Sequence, residues 1–265
     1  MTRTHVLPAM SIVALLAAPA AAWAQTPATG QAGQTGQNAQ GRGQAAPAPT
    51  NLQILPKDTP REQLIPMMQA ISQSLGVQCN YCHVFEGRGG RNDMASDEKP
   101  TKKTARQMML LAREINEKLP AAVGKPADST ARVGCATCHR GVPIPKQLTQ
   151  VLSETVNAKG LDAAVAQYRE LRTTYFGSMA YDFTENGLIN MAQAAITADK
   201  AENALAWLNL NLEFYPKSSR TYIAMAQAHQ RKNDKASAIK DLEKAVELDP
   251  NNAQAKQLLQ QLKGV

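Results

Sequence analysis

The chain has 265 residues, 43% of them hydrophobic and only 5% aromatic, with a formal charge of +7. The sparse aromatics argue against an all-β sandwich. Sixteen aperiodic glycines exclude a collagen, four cysteines in this length exclude a disulfide scaffold, and the mean hydropathy of −0.35 excludes a polytopic membrane protein.

In chain order, residues 1–24 read as a cleaved secretory signal. Arg3 is followed by an apolar stretch from Val6 to Ala22, and Ala22-Trp23-Ala24 offers a small-x-small cleavage site. Pro8 and Pro19 interrupt that stretch, which is shorter than the roughly 20 residues a membrane span needs. The mature chain is therefore expected in the periplasm, without a transmembrane helix. Residues 25–50 are Gln, Gly, Ala, Pro and Thr with Arg42 as the one charge, a composition that cannot offset its ordering entropy. They are expected to form a disordered tether.

The first amphipathic element is Leu64, Met68, Ile71 and Leu75, a helical stripe that Gly76 should stop. Pro66 predicts a break or kink at its start. Next comes Cys79-Asn80-Tyr81-Cys82-His83, then a Gly-rich loop from Gly87 to Gly90. Arg88, Arg91, Lys99, Lys102, Lys103 and Arg106 lie in or after it and read mainly as solvated surface, with propionate pairing as the sharper alternative. A second helix is predicted from about Pro100 to Lys118, with Ala105, Met108, Ala112, Ile115 and Leu119 on one stripe and Pro120 as its end. Cys135-Ala136-Thr137-Cys138-His139 follows.

From residue 148 the sequence is periodic. Pro216 and Pro250 lie 34 residues apart, and Tyr222, Met225, Ala226, His229, Ala238, Leu242 and Ala245 fall on the large-small pattern of a tetratricopeptide repeat. Leu188, Met191, Ala192, Ala195, Ala204 and Leu208 fit the preceding repeat, in which Asn211 is a poor match; Ala164, Tyr168 and Leu171 mark a weaker one. Residues 253–263 are expected as a capping helix. His229 occupies a packing position and reads as structural.

All four cysteines thus sit in two C-x-x-C-H words, the c-type haem attachment signature. Thiols three apart reach the two vinyl groups of one porphyrin, and the adjacent imidazole lies beneath the iron. A single Cys₄ zinc site is the competing reading, but the pairs are 52 residues apart and each runs directly into His. Two covalent haems are therefore expected, on Cys79/Cys82 and Cys135/Cys138, with His83 and His139 as proximal ligands. With the signal removed, only His229 remains as a further histidine, so at least one haem needs another sixth ligand. Methionine suits that role. Of the doublets Met67-Met68 and Met108-Met109, the stripes favour Met68 and Met108, with Met67 and Met109 as alternatives.

The segments "PMMQAISQSLGVQCNYCH" and "ARQMMLLAREIN…GCATCHRG" resemble the cytochrome c subunit of photosynthetic reaction centres, over about residues 50–146. The resemblance implies a helix bearing the axial Met, a turn and then C-x-x-C-H in each unit. It places Met68 opposite His83 and Met108 opposite His139. Members of that family typically carry four haems and often a lipid anchor; this chain has two motifs and adds repeats.

The expected architecture is mostly α: a di-haem c-type module at 51–147 and a tetratricopeptide-like α-solenoid at 148–265. The expected function is one-electron transfer rather than enzyme catalysis, because both axial positions of each haem are filled. Residues 51–150 hold a net +5, and residues 151–265 a net of zero, which points to redox partners with an acidic docking face. The repeats suit a protein partner, association with a membrane electron-transfer complex is a further expectation, and nucleic acid is not expected. The alternatives are a haem-containing adaptor or sensor whose repeats are the functional part, and a di-haem reductase or peroxidase. No catalytic triad, phosphate loop or dinucleotide fingerprint is present.

Overall fold

The computed structural model describes residues 48–87 and 89–264. The segment expected to be a signal peptide, most of the expected tether, Arg88 and Val265 lie outside the described residues.

The protein is mostly α-helical. Helix α1 (Arg61–Leu75) leads into a 3₁₀ turn at Cys79–Tyr81, and two short antiparallel strands follow: β1 (Val84–Phe85) and β2 (Asn92–Asp93), pairing Val84 with Asp93. Then come α2 (Pro100–Val123), the single-turn α3 (Cys135–His139), α4 (Leu148–Lys159) and α5 (Leu161–Tyr175). The chain ends with α6 (Glu185–Thr197), α7 (Ala201–Phe214), α8 (Ser219–Arg231), α9 (Lys235–Leu248) and α10 (Ala253–Lys263).

Two expectations about helix ends are corrected. Pro66 does not break α1, which runs unbroken from Arg61. It sits on an exposed face, where the Glu62 carbonyl that loses its amide partner can be solvated. Pro120 does not end α2 either: the helix continues to Val123 and stops at Gly124, whose left-handed φ of 65° suits glycine. Gly76 caps α1 in the same way, as its position predicts.

Helices α4 to α10 form an α-solenoid of antiparallel pairs, α4 on α5, α6 on α7 and α8 on α9, with α10 against α9. Ala164, Ala192, Ala204, Ala226, Ala238 and Ala245 are almost fully buried where helices approach. Larger side chains fill between them: Tyr168, Leu188, Leu208, Leu210 and Leu242 are at most 1% exposed. Asn211, the poor match to the repeat pattern, is buried and donates from Nδ2 to Thr221 Oγ1 at 2.8 Å, so a polar pair replaces a small apolar contact. Ser218, Asp234 and Asn252 cap α8, α9 and α10 through their side chains. His229 packs within the last pair, 3.6 Å from both Asp234 and Asp241.

Candidate functional site

The C-x-x-C-H words lie at the ends of three elements that brace one another crosswise. The Ser74 carbonyl at the end of α1 accepts from the Gly141 amide at 2.9 Å, just beyond the second motif. Gly76 is pressed so closely there that a Cβ would lie 2.1 Å from the Gly141 carbonyl oxygen. The N-terminus of α2 holds the first motif instead. The Thr101 hydroxyl donates to the Tyr81 carbonyl at 2.5 Å, and Lys99 Nζ donates to the Asn80 carbonyl. Further along α2, Asn116 grips the lead-in to the second motif from both sides: its Nδ2 donates to the Val133 carbonyl at 2.8 Å, and its Oδ1 accepts from the Val133 amide at 2.7 Å.

Both motif histidines are oriented through the same ring nitrogen. His83 Nδ1 lies 2.9 Å from the Met94 carbonyl oxygen, and His139 Nδ1 lies 3.0 Å from that of Val142. A carbonyl only accepts, so each Nδ1 carries a proton, and in the neutral ring the Nε2 lone pair is then the one left for a metal. This is the outer arrangement that fixes the tautomer of an imidazole ligating a metal through Nε2. Burial pushes the His83 imidazole below its usual value; the Met94 carbonyl acts the other way, and Lys102, Arg106 and Lys99 add to the lowering. The neutral, ligating form is thus favoured. Burial also pushes the Cys82 thiol up, opposed by the Thr101 hydroxyl and by Lys99 and Lys102. All four cysteines are free of disulfides, with Cys79 and Cys138 exposed. Among the described residues no three His, Cys, Asp or Glu side chains converge as metal ligands, so the two pairs do not form one Cys₄ site.

The methionines differ in surroundings. Met68 and Met109 are half-buried; Met67 and Met108 are 37% and 45% exposed. Apolar side chains on α1 and α2 stay widely open, among them Ile65, Leu110, Leu111 and Ile115. Among the described residues only Val84 and Val142 of the buried apolar side chains precede Leu148, and α1 and α3 bury none. Free thiols spaced for two vinyl groups, a pre-oriented Nε2 and apolar helix faces without protein partners are the donor set and lining that a covalent haem requires.

Sequence reasoning placed Lys102 among surface cations. The structure buries it: Nζ donates to the carbonyls of Met94, Ala95 and Ser96 at 2.8, 3.0 and 2.9 Å. Asp97 lies 3.4 Å from Lys102 and 2.8 Å from Arg106, and the Arg106 guanidinium holds its carboxyl well below the usual carboxylate range. Asn116 was also missed, because nothing local distinguishes an asparagine that reaches 17 residues ahead.

Among solved structures the chain resembles the first TPR domain of human RPAP3, with a TM-score of 0.32 and 21% identity over 44% of this chain and 87% of that one. Among curated proteins, cytochrome c-554 of Chloroflexus aurantiacus is 37% identical over 100 residues, covering 38% of this chain and 22% of that protein. The photosynthetic reaction center cytochrome c subunit of Rubrivivax gelatinosus is 29% identical over 113 residues, covering 40% and 30%. That of Thermochromatium tepidum is 36% identical over 98 residues, covering 36% and 21%. The chain thus spans less than a third of the length of these relatives. No helix among the described residues is long and apolar enough to cross a membrane. The sequence model of the family described as photosynthetic reaction centre cytochrome C subunit matches residues 38–244, most of the chain, and the protein belongs to that family.

Proposed function

We propose that the chain is an exported di-haem cytochrome that carries single electrons between protein partners. The observation that carries this reading is the matched pair of Nδ1–H bonds at His83 and His139, each leaving Nε2 free beside a C-x-x-C pair. Cys79, Cys82, Cys135 and Cys138 would hold the two haems as thioethers, each thiol adding across a vinyl double bond, sulfur to one carbon and hydrogen to the other, with nothing lost. His83 and His139 would supply the imidazole ligands, and Met68 and Met108 the thioether ligands, with Met67 and Met109 as the alternatives within each doublet. Bound haem supplies a reversible one-electron couple whose potential follows ligand type, burial and hydrogen bonding.

The protein's own contribution is positional. Met94 and Val142 fix the ring orientations, Asn116 and Thr101 fix the motifs to α2, and the apolar faces of α1 and α2 exclude water. Were His and Met to fill both axial positions of each haem, no coordination site would be left for a substrate, which favours a carrier over an enzyme. The domain assignment is a signal at 1–24, a tether at 25–50, the haem module at 51–147 and the repeats at 148–265. The basic excess of residues 51–150 suits an acidic redox partner, and the solenoid suits a protein partner in or near a membrane electron-transfer complex.

The test is the intact mass of protein matured in a host that assembles c-type haem. Residues 25–265 plus two haems is the expected mass. A haem-free chain, or one carrying a single haem, overturns the assignment.

A further inference from the structure

The carbonyls that receive the two imidazoles are not equivalent. Met94 O accepts from His83 Nδ1 at 2.9 Å and also from Lys102 Nζ at 2.8 Å. Val142 O, the acceptor for His139, has no ammonium on it among the described contacts. Lys102 is 9% exposed and donates to three carbonyls within 3.0 Å. Three acceptors need three N–H groups, which a lysine has only as the ammonium. The fold therefore places a buried positive charge on the oxygen that orients His83.

Two consequences have the same sign. A carbonyl already polarised by an ammonium is a weaker acceptor for the imidazole N–H, so the ring gains less electron density and donates less to a metal on Nε2. A buried cation next to the ligand also opposes the extra positive charge of an oxidised iron. Arg106 reinforces the cationic surroundings, while Asp97, shared between Lys102 and Arg106, offsets them in part.

We propose that Lys102 is a positioning residue that acts through His83 to make the haem site of Cys79, Cys82 and His83 the higher-potential one of the pair. An electron shared between the two sites then rests at the first motif. This inference rests on the proposed ligation by His83 and His139.

The test is a spectroscopic redox titration of the holoprotein and of Lys102→Met, Asp97→Asn and Lys103→Met. Lys102→Met should lower one midpoint, shifting that site's reduction equilibrium about tenfold, which is about 59 mV for a one-electron couple. The other midpoint should not move. Asp97→Asn leaves the ammonium and removes its counter-charge, so the same midpoint should rise. Lys103→Met, at an exposed position on α2, should move neither. The site that moves should be the one lost in Cys79→Ala/Cys82→Ala. A Lys102 variant that only loosened the fold gives no reason for opposite signs. If Lys102→Met fails to take up haem, Asp97→Asn decides alone. Midpoints that stay put, or that shift together, overturn the role of Lys102. A protein whose two haem spectra survive His83→Ala overturns the ligand assignment instead.

Discussion

Apolar side chains on α6 and α7 end up inside the protein, whereas apolar side chains on α1 and α2 do not. Leu208 is fully buried, and Leu111 is 46% exposed. Apart from Phe176 and Met179, the exposed large apolar residues among those described lie between Ile65 and Ile144. The repeat half completes its core with its own side chains, each alanine-lined helix approach filled by a leucine, tyrosine or tryptophan. The half with the C-x-x-C-H words is held by point contacts: a glycine approach, side-chain clamps on backbone groups from Lys99, Thr101, Lys102 and Asn116, and two imidazole bonds. Such a segment needs a bound group to bury its apolar faces, as small metallo-domains do.

The largest expected effect breaks that comparison directly. In protein made without haem attachment, hydrogen exchange should show unprotected amides across α1 to α3 and protected ones across α6 to α9. Equal protection in both halves would mean that the first half folds unaided. Next in size, Leu208→Ala should cost about 2–5 kcal/mol by opening a cavity in the solenoid. Thermal unfolding should register that loss while the haem absorption spectrum stays as in the parent; a changed spectrum would couple the two halves more tightly than their contacts suggest.

Gly76→Ala should cost about 1–3 kcal/mol, since alanine there must hold a left-handed φ of 65° and meet the Gly141 carbonyl. The damage should appear as faster exchange in α1 and α3 and leave α8 and α9 alone. The smallest effect is an acid dependence confined to the first motif. Asp97 titrates well below an ordinary carboxylate, chiefly through Arg106. Its folded value is depressed, so its contribution is complete above the unfolded value of about 3.9 and is lost as pH falls below it. Asp97→Asn should flatten the stability change below about pH 4, and an unaltered acid limb would show that other carboxylates carry it.

Much of the proposed site is read from the chain alone. Thioether chemistry demands two thiols at a fixed short spacing and a histidine beside them, so Cys79, Cys82 and His83 declare themselves within five residues. The helical stripe through Leu64, Met68, Ile71 and Leu75 was equally local, and so was the 34-residue period. Prolines misled at two places. Their cost depends on whether the freed carbonyl finds water, and that depends on which face of the helix is open.

The sequence by itself determined which groups are candidates to bind haem, that the chain is mostly helical, and that a repeat array would follow. Those properties are written in short spacings and in periods of 3.6 and 34 residues. Only the tertiary structure decided that Lys102 is a buried clamp and not a surface charge, that Asn116 holds Val133, and that Gly76 lies against Gly141. Each of these depends on where a distant backbone carbonyl or amide comes to rest after the chain folds back. Every residue supplies the same backbone groups, so no side-chain pattern announces them in advance.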